Sequence, residues 1–466
     1  VVRKSLTFVF GSGLAFSACS ANGTTDANAD CAGAQDVLAE CGHEPIASLD
    51  ACGEEAQQAA ADLNEAYDAA GCAGVNDGKS DSVWCKIFPS LCAEPLEALW
   101  PAPSAATTRF PILLAHGFNT STTNFWRFND VDQLLRDHGH GGGHVALGSV
   151  PPFDTPEVRA TFLADNVADL LEASGAEKVN LLCFSMGGLD CRHLVSPTAE
   201  MACADSDDDG ELDVPCEDVV ASVVTISSPN HGSGIADGAT GILPDADRSE
   251  AIDFVATLWG KTFSEVADDS HLVAALESMT EARFEGLHDD DVDHVYPKNP
   301  KVYYQSWAGF SHVAGLPNPI SSDEEACTVE VEADAPSEFE DTRECDGDRC
   351  TELRMYRHDD ERDKMDALLV GGAAFVAHGL DATPNDGVST VESSIFGEFM
   401  GCYPADHLDQ VGQINDEGTD PDTGFNYQRL YLFIAQDLAT ERTRQRVGPV
   451  DEGTGRYTVV HARESF

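Results

Sequence analysis

Residues Val179 to Phe184 read Val-Asn-Leu-Leu-Cys-Phe and run straight into Ser185-Met186-Gly187-Gly188 and a helical stretch. An apolar run of this length, without polar alternation, marks a strand covered on both faces, as in a parallel sheet flanked by helices. A serine between such a strand and its helix sits on a sharp turn. Its hydroxyl projects from the sheet at a helix N-terminus, where backbone N–H groups and the helix dipole favour negative charge. Strand and helix pass close together there, so the neighbours must be small. Gly187 and Gly188 are, but Cys183 stands where a Gly-x-Ser-x-Gly turn has its first glycine. That substitution is expected to alter packing rather than chemistry, with Cys183 buried behind the turn. Alone, the pentad fits an ordinary buried turn equally well.

The flanking sequence narrows the choice. Phe110 to Ala115 is another short apolar run, and it delivers His116-Gly117-Phe118 into a polar loop. Glycine lets the backbone turn sharply and bring an N–H towards a ligand. Arg159 to Ser174 carries Phe162, Val167, Leu170 and Leu171 at helical spacing and ends near Gly175, as an amphipathic helix should.

The chain has 466 residues, with 27 Lys and Arg against 82 Asp and Glu, a formal net charge of -55. Such a polyanion repels phosphates, which excludes a nucleic-acid binder as the first reading. The same excess suits a saline medium or one rich in divalent cations. The length allows about two or three domains. A mean hydropathy of -0.22 excludes a polytopic membrane protein.

Residues 1–21 have a cationic start, an apolar run from Leu6 to Phe16 and small residues before Cys19, the layout of a signal peptide. Phe-Ser-Ala-Cys resembles a bacterial lipobox, which would make Cys19 a lipid anchor in the outer membrane; free secretion remains the other reading. The chain has 15 cysteines, and lipidation of Cys19 would leave an even 14. Cys31, Cys41, Cys52, Cys72, Cys85 and Cys92 crowd residues 22–100, a small helical accessory module expected to be stapled by disulfides. Their wide spacing, without Cys-x-x-Cys pairs, speaks against zinc.

Residues 101–446 form the expected catalytic domain, followed by a tail at 447–466. The segments Pro111 to Phe118, Lys178 to Leu182, Ser185 to Asp190 and Val219 to Ser233 resemble the bacterial family I triacylglycerol lipases. Tyr304-Gln-Ser-Trp-Ala-Gly, Asn385-Asp386-Gly387 and Asp406-His407-Leu408-Asp409 continue the resemblance. It implies an α/β-hydrolase fold: a mostly parallel sheet with helices on both faces. It also implies the chain order Ser185, Asp386, His407 for a catalytic triad. His378 precedes Asp386 and reads as a helix end, while His312 and His358 read as surface side chains. His407 would take the serine proton and Asp386 would orient the imidazole. The backbone N–H groups of Phe118 and Met186 would bind the oxyanion. No organic cofactor is implied.

The substrate class is then a carboxylic ester. A lid is expected within 234–287, where Ile252, Phe254, Val255, Leu258, Trp259 and Phe263 lie among acidic residues. A carboxylesterase or polyester depolymerase without interfacial activation would share the triad, and a catalytically silent surface-binding protein would retain the turn as scaffold. Relatives of this kind raise a dedicated foldase as a folding partner.

Two insertions depart from the family pattern, near 198–217 and 322–363. The first contains Asp205, Asp207, Asp209, Gly210, Glu211 and Asp213, similar to a calcium loop of EF-hand type but with Cys216 at the closing position. Cys203 and Cys216 could close it as a disulfide, and a solvated acidic loop is the plain alternative. In the second, one of Cys327, Cys345 and Cys350 is a candidate tether for Cys402. The resemblance also implies a structural calcium ion held by Asp366, which lies 386 - 366 = 20 residues before the candidate acid, and by Asp409, two after His407. Gln413 and Glu417 would offer carbonyls. Hard oxygen donors suit calcium rather than zinc.

Overall fold

The computed structural model describes residues 31–41, 54–72, 75, 96–118, 127–207, 209–242, 271–287, 294–313, 320–333, 337, 339–347, 349–358, 361–376, 383–413 and 418–439. The expected signal peptide, the tail at 447–466 and the six apolar lid residues lie outside them, as do Cys19, Cys52, Cys85, Cys92, His378 and Glu417. The chain divides into two compact units, Val1–Glu94 and Pro95–Phe466.

In the first unit, α1 (Cys31–Glu40) and α2 (Glu54–Ala70) bury Ala34, Leu38, Ala59, Ala60 and Leu63 together with Val75. So many alanines let two helices approach closely but bury little area per residue, which is where a crosslink helps most. Cys41 is bonded to Cys72, and Cys31 is also in a disulfide.

Among the described residues of the second unit the strands are β1 (Ile112–Ala115), β2 (Val145–Leu147), β3 (Val179–Phe184), β4 (Ala202–Ala204), β5 (Val214–Pro215), β6 (Val220–Ile226), β7 (Tyr303–Phe310), β8 (Thr328–Glu332), β9 (Arg343–Asp346), β10 (Arg349–Leu353) and β11 (Glu398–Pro404). Six of them form one sheet in the order β11-β7-β6-β3-β1-β2, each parallel to its neighbours. Alternate residues feed opposite faces. Ile112, Leu114, Leu182 and Phe184 join the core beneath α5 (Tyr427–Ala439), while Leu113, Leu181 and Cys183 join the core beneath α3 (Pro156–Ser174). Both faces are covered, so the strands read as unbroken apolar runs. Each fully buried Leu, Ile or Val contributes about 1.5–3 kcal/mol. Helix α3 is capped by Thr155, whose side chain accepts from the Val158 N–H, and stops at Gly175, whose φ of 63° only glycine adopts freely.

The insertions fold as small antiparallel sheets. Strands β4 and β5 pair across the first, and Cys203 is bonded to Cys216. In the second, β8, β10 and β9 form a three-stranded sheet, Cys345 is bonded to Cys350, and Cys327 is bonded to Cys402 on β11. The described ends of the expected lid, the helices Gly234–Ile242 and Leu272–Ser278, pack Ile235, Ala239, Leu272 and Leu276 into a cluster with Met186 and Leu408. A short apolar helix, Val370–Val376, precedes the turn that carries Asp386. No helix of the described residues is long and apolar enough to cross a membrane.

Candidate active site

All parallel strands present their C-terminal ends to one edge, where ligands of open α/β sheets bind. At the end of β3, Ser185 adopts φ 54°, a left-handed conformation that costs a residue with a Cβ about 1–3 kcal/mol. Its backbone N–H donates to Ile226 O at 2.9 Å, its carbonyl accepts from Gly188 N–H at 2.9 Å, and α4 (Gly187–Val195) begins there. The small residues are obligatory. A Cβ on Gly187 would lie 2.5 Å from Ala115 O, one on Gly188 would lie 2.1 Å from Ser228 Oγ, and one on Gly117 would lie 2.5 Å from Ser185 Cβ. Cys183 is buried, as its position in the strand implies, but it is not a free thiol: it is bonded to Cys191 in α4. The two cysteines therefore bracket the serine and join strand to helix.

Asp386 and His407 meet at the same edge. Asn385 bridges to Ser311, just beyond β7, and the turn that follows needs Gly387 at φ 94°. Oδ1 of Asp386 accepts from the N–H groups of Val388 and Ser389 at 3.0 and 2.8 Å. Its Oδ2 accepts from His407 Nδ1 at 2.6 Å. Burial acts to raise the Asp386 pKa, but the neighbouring imidazole and these hydrogen bonds outweigh it and hold the carboxyl below its ordinary value. His407 follows the end of β11, and its ring lies 4.5 Å, centroid to centroid, from that of Phe184, the residue before the serine. Gln410 was not legible as part of this group, yet its Nε2 donates to Asp386 Oδ2 at 2.9 Å.

Of the expected oxyanion donors, Phe118 follows the end of β1 with its ring edge-on to Phe153, and Met186 caps the N-terminus of α4. Beside them His116 is buried, and burial together with the Arg159 charge holds its pKa at about 3. It is neutral at any working pH. Of the other histidines, His358 and His312 are both half-buried rather than superficial, and His358 contacts the Glu97 carbonyl.

Among the described residues, two groups of carboxylates are assembled. One is Asp205, Asp207 and Asp209 in the β4–β5 loop, with oxygens within 4.8 Å of one another. Asp213 instead accepts from Ser206, and Glu211 is exposed. The other adjoins the histidine and comprises Asp363, Asp406 and Asp409. This set shares only Asp409 with the one expected. Asp366 turns its carboxylate to the Leu368 N–H at 2.7 Å, while its own N–H donates to Asp406 Oδ2 at 2.8 Å. The Gln413 side chain donates to Arg127 O. Burial and the nearby Asp406 push Asp363 up to about 7, and burial pushes Asp406 up to about 6. Asp363 Oδ2 is buried without a hydrogen-bond partner among the described residues.

No family model matches the chain. Among curated proteins, a triacylglycerol lipase of Vibrio cholerae is 28% identical over 231 residues, which cover 46% of this chain and 66% of that protein. A triacylglycerol lipase of Pseudarthrobacter phenanthrenivorans is 30% identical over 190 residues, covering 39% and 54%. The chain thus spans between about half and two thirds of the length of these relatives. Among solved structures, the Staphylococcus hyicus lipase superposes with a TM-score of 0.42 at 16% identity, over 74% of this chain and 98% of that one. A Bacillus licheniformis lipase in mature form gives 0.39 at 17%, over 70% and 91%. The chain folds as a parallel α/β sheet with helices over both faces, and it is similar in sequence to bacterial triacylglycerol lipases.

Proposed function

We propose that this chain is an exported serine hydrolase of lipid esters, a triacylglycerol lipase in class, working through a covalent acyl-enzyme. The observation that carries the reading is the Asp386–His407 hydrogen bond of 2.6 Å beside the strained Ser185 turn. An imidazole whose Nδ1–H is held by a buried carboxylate presents Nε2 as a base. His407 removes the proton of Ser185 as the hydroxyl attacks the ester carbonyl, and the imidazolium formed is stabilised by Asp386. The tetrahedral oxyanion is received by the N–H groups of Phe118 and Met186. His407 then protonates the departing alcohol, and water hydrolyses the acyl-enzyme with the same histidine as base. The apolar ends of the 234–287 segment beside Met186 and Leu408 support an acyl-binding surface that a lid would cover. Disulfides such as Cys183–Cys191 and Cys327–Cys402 support an oxidising compartment outside the cytoplasm.

A structural calcium ion fits the carboxylates beside the histidine, because three hard oxygen donors converge there and one buried oxygen lacks a partner among the described residues. Asp363, Asp406 and Asp409 would hold it, and the ion would fix the loop that carries His407. The Asp205 loop is a second, exposed candidate for calcium. A foldase dependence is read by refolding the denatured chain without helpers.

A fluorophosphonate probe tests the central reading. The parent should be labelled at Ser185 and hydrolyse emulsified triglyceride, whereas Ser185→Ala and His407→Ala should lose several powers of ten in turnover while keeping their melting curves. An unlabelled parent, or either variant at parental turnover, would overturn it.

A further inference from the structure

We propose that the buried ion pair of Arg159 and Asp190 positions the oxyanion hole by fixing the plane of the Gly117–Phe118 peptide. The inference rests on the serine-hydrolase reading above and extends it to two residues outside the triad. Arg159 stands in the first turn of α3 and Asp190 in α4, five residues after the serine; both side chains are fully buried. Nε and Nη2 of Arg159 each reach Asp190 Oδ2 at 2.8 Å. Nη2 also donates to His116 O at 2.8 Å and Gly117 O at 3.3 Å, and Nη1 donates to Pro151 O. One planar cation therefore ties together α3, the loop after β1 and the helix that begins at the serine.

Stability alone does not account for such a pair. Two charges taken out of water lose several kcal/mol of hydration each, and apolar residues of the same volume commonly serve a core as well or better. What the guanidinium holds is specific, since the Gly117 carbonyl and the Phe118 N–H belong to one planar peptide and point in opposite directions. Gly117 O receives Arg159 Nη2 and, at 3.1 Å, Nδ1 of His116. Fixing that oxygen fixes the direction of the Phe118 N–H. Gly117 is itself packed tightly against the serine, since even a methyl group on it would come within 2.5 Å of Ser185 Cβ and 2.9 Å of its Oγ. Met186, the second donor, lies one turn before Asp190, whose N–H donates to Met186 O at 3.3 Å. The ion pair thus refers both oxyanion donors to one rigid piece. Arg159 and Asp190 touch no substrate; they are positioning residues.

Two variants test this in the full chain. Arg159→Met/Asp190→Leu removes both charges at similar volume, and Arg159→Lys keeps a cation but replaces the fork with a single point. Each is assayed with a matched ester and thionoester, alongside its melting curve. An aligned pair of N–H donors favours the ester, because sulfur accepts hydrogen bonds poorly. Misalignment should lower kcat by about a hundredfold with KM nearly unchanged, and should shrink the preference for ester over thionoester. A residue that merely stabilised the fold would shift the melting temperature and leave that preference intact. A folded variant retaining parental kcat and ester preference would overturn the inference. A parent inactive on both esters, with Ser185→Ala no different from it, would instead overturn the underlying reading and this inference with it.

Discussion

Gln410 and His407 share one oxygen of Asp386: Nε2 of Gln410 donates to Oδ2 at 2.9 Å, where Nδ1 of His407 also donates at 2.6 Å. The amide is itself held, with Tyr403 OH donating to its Oε1 at 2.9 Å and Nε2 also reaching Asp406 O at 3.1 Å. Gly309 leaves room for it, since a Cβ there would fall 2.3 Å from Nε2. A carboxylate that must orient an imidazole benefits from a second fixed donor that takes no part in proton transfer.

Gln410→Leu should therefore lower kcat by about tenfold with KM and melting temperature little changed, the size expected for loss of one hydrogen bond to a charged group. Gln410→Glu should be worse at neutral pH, because a second carboxylate beside Asp386 opposes its ionised form. Steady-state kinetics of the two variants decide the matter: parental kcat in the leucine variant would remove Gln410 from the site.

The Cys183–Cys191 bond makes a different prediction. Both sulfurs are buried, so a thiol reagent should leave Cys183 untouched in the native protein even with mild reductant present. Replacing both by alanine should lower stability to denaturant by about 2–3 kcal/mol, the amount a short closed loop gives. Ser185 should remain labelled by the fluorophosphonate probe, because Gly187 and Gly188 still admit the turn. Fast alkylation of the native parent at Cys183 would contradict the bonded, close-packed arrangement.

These two cases also show where sequence reading stops. The strand Val179–Phe184 and the helix read from Arg159 to Ser174, observed as Pro156–Ser174, were legible because burial on two faces, or on one stripe, marks the residues themselves. Ser185, Asp386 and His407 were singled out by the resemblance of their flanking motifs, and two of them, Asp386 and His407, meet in a hydrogen bond of 2.6 Å. Gln410 and Asp386 are 24 residues apart and joined by one amide hydrogen bond, which leaves no periodic trace. Arg159 and Asp190 are separated by 31, and an arginine in an amphipathic helix ordinarily reads as its wet face. The bonding of Cys183 to Cys191 could not be read because spacing does not determine connectivity. Asp366 was expected on the resemblance alone, and residues three apart in an irregular segment carry no mark of which carboxylate, Asp363 or Asp366, joins Asp406 and Asp409.

That difference in ligand set is testable by metal removal. If Asp363, Asp406 and Asp409 hold calcium, chelation should lower activity and melting temperature together, and excess calcium should restore both. Binding at about a hundredfold over the dissociation constant gives about 2.7 kcal/mol. Asp363→Asn and Asp409→Ala should each blunt the response, while Asp366→Asn, which keeps an acceptor for the Leu368 N–H, should respond as the parent does. Asp207→Ala controls for the exposed loop and should leave the coupling of activity to calcium intact. A parental response in the Asp363 variant, with loss in the Asp366 variant, would return the site to the set expected from sequence.

The tightest packing at the serine turn lies behind it, and there a steric prediction can be made with a built-in rescue. A Cβ on Gly188 would stand 2.1 Å from Ser228 Oγ, 2.5 Å from Ser228 Cβ and 3.1 Å from Thr225 Cγ2. The first two are impossible contacts, and neither partner can retreat, because Ser228 is fully buried just beyond β6 and α4 is bonded to β3 through Cys191. Gly188→Ala should thus push α4 away from the sheet and carry Ser185 with it, costing more than the usual 1–3 kcal/mol of overpacking and most of the activity. Ser228→Gly alone removes only a weak contact of its hydroxyl with Cys183 O at 3.4 Å and should be mild. Combined, Gly188→Ala/Ser228→Gly removes both clashing atoms and leaves only the 3.1 Å contact with Thr225, which a few tenths of an ångström relieve. Melting temperature and kcat of the double variant should recover most of what the single variant lost, a coupling well outside additivity for two residues in contact. If the double variant were as impaired as Gly188→Ala, the helix would not be held against Ser228 at all, and the position of Ser185 would have to be fixed by something other than this contact.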